Sequence, residues 1–453
     1  MSAADLDQGD LDACLRVLAR AVTAEPGDAR WDPVRAAAAE LHRAVRRARQ
    51  DERRHHDRAL LASTTRYRDQ NPSEPGLPVD DAAAGGGEER VLKAHRPCYV
   101  CRTPYRRVHA DYHMLCPSCA EENTARRHAR ADLRGRRALV TGGRVKIGFH
   151  VALKLLRDGA EVLVTTRFPR DAARRFAGLP DSGDWLDRLH VHGVDLLDLP
   201  GVAGLLDAVH DRFDHLDILV NNAAQTIRRP AAYYREIHAA ESVPLTGAAS
   251  RVRLREGVPA ALAPAGATPD LSAHHDLFPA GRTDETGQPL DLRARNSWSL
   301  RLHEVDPAEW MEVQVVNAFA PFLLTSRLRG LLESSPWPDR YVVQVSAMEG
   351  SFSRDGKTVR HPHTNMAKAS LNMLTRTSAA DYATSGIYMN SVDTGWVTDE
   401  RPHPVKLAQR AAGFRPPLDV VDGAARVYDP VVRGVGGERL YGLFLKNYRP
   451  VEW

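Results

Sequence analysis

From Leu133 to the C-terminus the chain alternates short apolar runs with amphipathic stretches, and no other feature constrains its fold as tightly. RALVTGG, AEVLVTTR, LDILVNNAA, YVVQVSA and IYMNSVDTG read as strands, each short and mostly aliphatic, several closing on turn-forming residues. Between them, FHVALKLLRDG, PGVAGLLDAVHDRF and PAEWMEVQVVNAFAPFLLTSRLRGLLE place apolar residues at helical spacing. Strand–helix–strand repetition packs helices on both faces of a parallel sheet through right-handed crossovers. The expected fold class is therefore α/β, with a doubly wound parallel sheet.

At 453 residues the chain is too long for one ordinary core, so additional modules are expected before Leu133. Residues 1–70 read as a helical region. Leu11, Leu15, Leu18 and Val22 recur at helical spacing, and Glu25-Pro26-Gly27-Asp28 breaks the pattern. A second helix starts at about Pro33 and runs into RRARQDERRHHDR. Residues 71–90, rich in Pro, Gly and Ala, have linker composition, 91–130 hold a cysteine module, and 133–453 form the α/β domain. The N-terminus lacks a basic start followed by an apolar stretch, and no apolar run approaches the roughly 20 residues of a membrane span. A cytoplasmic protein without a membrane partner is the expectation. Of the 62 basic residues only seven are lysines, so arginine clusters say less here than usual and each lysine says more.

Four of the five cysteines fall within a short span: Cys98 and Cys101 in CYVC, then Cys116 and Cys119 in CPSC. Two Cys-x-x-Cys turns can close four thiolates around zinc at about 2.3 Å per bond, leaving no open position, so the zinc would be structural in a small ribbon-like module. Arg102, Arg106, Arg107, Arg126, Arg127 and Arg130, interleaved with Tyr99, Tyr105 and Tyr112, could meet nucleic acid. In so arginine-rich a chain, a solvated face on a module packed against its neighbour is the preferred reading.

Thr141-Gly142-Gly143-Arg144-Val145-Lys146-Ile147-Gly148 follows the first strand and opens a helix. Glycines there admit a pyrophosphate to the backbone, and the helix N-terminus offers free N–H groups. Later come Asp195-Leu196, Asn221-Asn222-Ala223-Ala224, Asn317 on a helix capped by Asp306-Pro307, Ser346 after YVVQV, Lys368, and Asn390 to Gly395. In this order the segments resemble the short-chain dehydrogenase/reductase superfamily, whose domain is a Rossmann fold. Lys146 replaces the usual middle glycine of the turn, and Thr394 replaces a proline. The resemblance implies a dinucleotide held by Gly142, Gly143, Arg144, Lys146, Ile147, Gly148, Asp195, Leu196, Asn222, Ala223 and Lys368. It also implies catalysis by Ser346, Lys368 and Asn317, and a homo-oligomer. The second strand ends Thr165-Thr166-Arg167 rather than in an acid. Arg167, with Arg144 and Lys146, suits a 2′-phosphate, which favours NADP over NAD.

The resemblance makes the chain atypical at one position. Four residues before Lys368, where the family places its catalytic tyrosine, stands Thr364. A threonine hydroxyl can orient a carbonyl but is too weak an acid to replace a tuned phenol. His361, His363, Tyr233 and Tyr234 are the alternative acids. The expected function is an NADP(H)-dependent oxidoreductase acting on a small-molecule carbonyl or alcohol. The alternative is an inactive NADP-binding regulatory or scaffold protein that contacts protein or nucleic acid through its zinc module. An insertion at about 225–304, at the end of the fourth strand, is expected to form a lid or a substrate surface.

Overall fold

The computed structural model describes residues 7–68, 90–256, 275–353 and 356–453. Residues 71–89 of the expected linker and 257–274 of the insertion lie outside the described residues. The N-terminal region consists of α1 (Gln8–Thr23), α2 (Asp32–Ala62) and α3 (Thr65–Arg68). Asp7 caps α1 through a bond from Asp10 N to its carboxylate, and α2 has a proline in its first turn. The cysteine module follows, with an antiparallel hairpin of β1 (Val91–Pro97) and β2 (Pro104–Arg107), then α4 (Pro117–Arg127).

The α/β domain begins with β3 (Arg137–Val140), α5 (Lys146–Arg157), β4 (Glu161–Thr166), α6 (Pro169–Ala177), β5 (Leu189–Gly193), α7 (Leu199–Arg212) and β6 (Ile218–Asn221). The insertion contributes α8 (Arg235–Glu241) and β7 (Arg253–Arg255). Then come α9 (Pro307–Gln314), α10 (Ala320–Arg327), α11 (Arg329–Glu333), β8 (Arg340–Ser346), α12 (Pro362–Thr384) and β9 (Ile387–Asp393). The chain closes with α13 (His403–Ala411), α14 (Val420–Val435), β10 (Phe444–Lys446) and β11 (Arg449–Val451).

Among the described residues the main sheet has nine strands in the order β11-β10-β9-β8-β6-β3-β4-β5-β7, all paired in parallel except β10 with β11. The expected doubly wound sheet is the one the chain forms. Strand order runs outward in both directions from β3, which makes the β3/β6 boundary a topological switch point. Alternation along β8 serves both faces: Tyr341, Val343 and Val345 join one core with Val151, Leu155 and Val427, while Val342 joins the other with Leu205, Leu324 and Met389.

Four strands of this sheet escape the sequence pattern. In β5 the buried His190 and His192 interrupt the apolar run, β7 is polar, and β10 and β11 are three residues each. The single helix expected over 307–333 is interrupted by a π turn at Val315–Phe319 and again at Leu328, giving α9, α10 and α11.

Buried charge joins the N-terminal modules to the α/β domain. Arg127 Nη1 donates to Asp419 Oδ1 and Asp422 Oδ1, each at 2.7 Å, and Arg66 Nε lies 3.3 Å from Asp419 Oδ2. Tyr112 Oη donates to Asp422 Oδ1 at 2.8 Å. Arg126, another member of the expected basic face, pairs with Asp429 at 2.9 Å. Among the described residues no helix is long and apolar enough to cross a membrane.

Candidate functional site

A cavity of about 1580 Å³ opens over the carboxyl ends of β3, β4, β6, β8 and β9. In an open α/β sheet ligands settle at this place, where strand order reverses. Its floor on one side is the β3–α5 turn. Gly142 has φ +69°, and a methyl group at Gly148 would collide with Gly142 O and Asn222 Nδ2. No side chain caps the N-terminus of α5, so that end of the helix dipole faces the cavity. Asn222 Nδ2 donates to Thr141 O at 2.9 Å, and Ala223 N donates to Thr141 Oγ1 at 3.0 Å, which buckles the end of β6 onto the turn. Ile147, Asp195 and Leu196 also line the cavity.

Three expected cofactor residues are engaged within the protein, although Arg144 and Lys146 also line the cavity. Gly143 is not part of the cavity wall; it packs on Val164, whose side chain leaves no room for a methyl. Lys146 has φ +52°, the conformation that favours glycine there, and its Nζ donates to Glu400 Oε1 at 3.1 Å. Burial would raise the Glu400 carboxyl, but Lys146 and a bond from Thr398 bring it down to about 2. Arg144 is likewise committed, donating to Asp171 at 2.6 Å and to Gln288 Oε1 at 2.5 Å. Arg167 remains the more open cation. Its side chain is 40% exposed, lies 4.0 Å from Asp195 and donates to Tyr234 Oη at 2.8 Å.

The other half of the cavity gathers Ser346, Lys368, Glu349, His361 and Asp393. Ser346 Oγ donates to Asn372 Oδ1 at 2.7 Å. Lys368 Nζ donates to Val345 O at 2.7 Å; burial brings its ammonium down to about 8, partly opposed by the charge of Glu349. His361 precedes α12 without a capping side-chain bond, stacks on Trp298 with ring centres 3.9 Å apart, and burial holds its imidazole below the usual range.

Two expected catalytic residues do not reach this half. Asn317 is fully buried in the π turn, where it clamps the backbone of Gln225: its Oδ1 accepts from Gln225 N at 2.6 Å and its Nδ2 donates to Gln225 O at 3.0 Å. Thr364 is buried outside the cavity wall, and its hydroxyl has no hydrogen-bond partner among the described residues, so it is not placed to orient a ligand. Among the alternative acids, His363 is buried 3.4 Å from Glu309 and does not line the cavity. Tyr233 and Tyr234 line it at the Arg167 end, with Tyr234 against Phe168.

Asp393 was not singled out from the sequence. It pairs in register with Ser346 on the neighbouring strand, and its carboxylate accepts from Met348 N at 2.7 Å and Gly395 N at 2.9 Å. Burial holds the carboxyl above its usual range, with Lys446 opposing. An acid closing a buried strand just before a glycine turn was the available signal.

The insertion supplies much of the remaining wall, including Thr226, Arg229, Trp298 and Arg301. Its two ends meet: Arg228 N donates to Ser297 Oγ at 2.8 Å, and Arg293 Nη2 donates to Arg228 O at 3.2 Å. The four cysteines of the module converge, their Sγ atoms all within 4.8 Å of one another, with Cys98 Sγ accepting from Cys116 N at 3.3 Å. Four sulfurs that close fit one tetrahedral ion with Zn–S bonds of about 2.3 Å.

Residues 136–248 match the family described as short chain dehydrogenase, and residues 294–412 the one described as Enoyl-(Acyl carrier protein) reductase. Protein R665 of Acanthamoeba polyphaga mimivirus is 33% identical over 347 residues, covering 74% of this chain and 71% of that protein. Short chain dehydrogenase/reductase dpfgG of Gibberella zeae is 24% identical over 304 residues, 64% of this chain and 84% of that one. The (+)-neomenthol dehydrogenase of Capsicum annuum matches at 31% over 90 residues, 19% of this chain and 28% of that enzyme. Among solved structures, the Pseudomonas aeruginosa RhlG/NADP active-site complex aligns with a TM-score of 0.46 at 20% identity, over 70% of this chain and 96% of that one.

Proposed function

Because this chain belongs to the short-chain dehydrogenase/reductase superfamily, we propose that it is an NADP(H)-dependent oxidoreductase acting on a carbonyl or alcohol. The observation that carries the reading is the convergence of the uncapped α5 N-terminus, Arg167, Ser346 and Lys368 on one cavity. Gly142 and Gly148 let the turn close tightly on Asn222 and Ala223 beside the helix end where a pyrophosphate would lie, and Arg167 at the end of β4 meets a 2′-phosphate better than the paired hydroxyls of NAD. NADP(H), when bound, supplies the hydride acceptor or donor.

In this reading Lys368 holds the ribose beside the reacting carbon and Ser346 holds the substrate oxygen. Asn317 contributes by fixing the backbone of Gln225 at the edge of the site. Thr364 has no part in proton transfer. Asp393, beside Ser346 and with its carboxyl raised above the usual range by burial, carries the proton to or from the substrate oxygen. A zinc ion on Cys98, Cys101, Cys116 and Cys119 would be structural and would supply folding free energy to a module with little core of its own. Met311, Phe319, Phe322, Met366 and Met373, all exposed between α9 and α12, support self-association into a homo-oligomer.

Thr364 also favours a second reading, a protein that binds NADP(H) without turning it over. Calorimetric titration with NADPH and then NADH tests both. Micromolar NADPH binding that weakens strongly in Arg167→Ala supports the cofactor site, and carbonyl turnover abolished by Ser346→Ala supports the enzyme. NADPH binding without turnover across a broad carbonyl panel favours the second reading, and no binding of either nucleotide rejects both.

A further inference from the structure

We infer that the four-cysteine module is a wall of the dinucleotide site, with Tyr99 as the positioning residue through which it holds the loop after β9 against the nicotinamide half. The inference rests on the NADP(H) reading above. Tyr99 lies between Cys98 and Cys101, so a metal held by those two thiolates would fix its backbone on both sides. Its Oη accepts from Trp396 N at 2.9 Å, across 297 residues of sequence. Tyr99, Arg102 and Met114 line the same cavity as Gly395, Trp396 and Val397.

The contact is more than one hydrogen bond. Ile147 of the phosphate turn, Val397 of the loop and Leu418 pack in one apolar cluster with Cys98, Cys116 and Cys119. Gly395, at φ +76°, is backed by Leu418 so closely that a methyl could not be added. The loop therefore has little freedom of its own, held by Leu418 behind Gly395 and by the module through Tyr99 and the packing of Val397.

Sheet order says which half of the ligand would feel this. A pyrophosphate at the α5 N-terminus puts the adenosine ribose over the end of β4, near Arg167. The nicotinamide half then extends the other way, over β6, β8 and β9, where the 394–397 loop begins. The module meets the cavity on this second side, through Tyr99, and reaches the phosphate turn through Ile147.

The test uses full-length, metal-loaded protein and two ligands: NADPH, and adenosine 2′,5′-bisphosphate, which represents the adenosine half alone. Tyr99→Phe is expected to weaken NADPH about five- to tenfold while leaving the half-ligand affinity and the zinc content unchanged. Equal loss for both ligands, or no loss for either, overturns the inference while the cofactor reading stands. If unaltered protein binds neither ligand, the two fall together. Hydrogen exchange supplies a second readout that needs no variant. Removing the metal is expected to speed exchange at the Trp396 amide at least tenfold while the amides of β4 stay protected; a Trp396 amide indifferent to the metal overturns the inference.

Discussion

The ammonium of Lys146 is held 3.1 Å from the Glu400 carboxylate, across 254 residues of sequence, at the mouth of the phosphate turn. Lys146 enters α5 with φ +52°, so it stands where a side chain costs backbone strain of order 1 kcal/mol. On the NADP(H) reading, the pair neutralises a cation that would otherwise face a phosphate. Glu400→Gln is therefore expected to tighten NADPH binding about three- to tenfold, roughly 1 kcal/mol, with the gain shrinking as salt is added. Calorimetry at low and high ionic strength checks this. An affinity unchanged at low salt would mean that Lys146 never reaches the phosphates.

Asp393 and Ser346 occupy paired positions on β9 and β8. If the Asp393 carboxyl delivers the proton, Asp393→Asn lowers kcat/KM for carbonyl reduction about a hundredfold. Reduction needs the protonated acid, so the rate of the unaltered protein falls as pH rises through that group's elevated range. The variant's pH profile should lack this limb. A variant that loses rate but keeps the limb would place the titrating group elsewhere, with Asp393 reduced to bracing the backbone of Met348 and Gly395.

Acid stability provides a prediction independent of function. Burial brings His150 down to about 3, and His113 and His192 down to about 4. An unfolded histidine protonates near 6.5, so between that pH and the folded values the unfolded state binds more protons. Stability from these groups is full above about 6.5 and is lost as pH falls, by about 1.4 kcal/mol per pH unit for each histidine. His150→Gln should flatten the decline in urea midpoint between pH 6.5 and 5 by one such increment. An identical slope would mean that His150 titrates in the folded protein as it does in water.

Arg127 is buried against two carboxylates. Arg127→Met leaves Asp419 and Asp422 without their closest cation and is expected to cost about 3–5 kcal/mol in urea unfolding at neutral pH. Adding Asp422→Asn should recover part of that loss, because one uncompensated charge is removed. A single variant as stable as the parent would show that Arg66 alone balances the pair.

What the sequence made legible was local. Aliphatic runs bounded by turns marked β3, β4, β6, β8 and β9, a glycine turn marked the start of α5, and paired cysteines marked the module. Features set by distant partners left no trace in any one segment. Lys146 reads as a free cation until Glu400 is beside it, and Arg144 until Asp171 and Gln288 are. Thr364 sits at the right spacing from Lys368, yet its short side chain is buried and does not reach the cavity wall. β5 was hidden because His190 and His192 are polar by type and buried in fact, and Asp393 because nothing local says which strand lies next to it.

The hydrogen bond from Arg228 N to Ser297 Oγ has a consequence for how this chain can change over time. It closes an excursion of 69 residues at its base, while Asn317 pins Gln225 just ahead of it. With its roots tied, the excursion can grow or shrink at a closure cost that rises only about 0.6 kcal/mol per doubling of length. A descendant could acquire a new substrate wall there, within the limits set by β7, which pairs with β5, and by Tyr234 and Gln288, which hold Arg167 and Arg144.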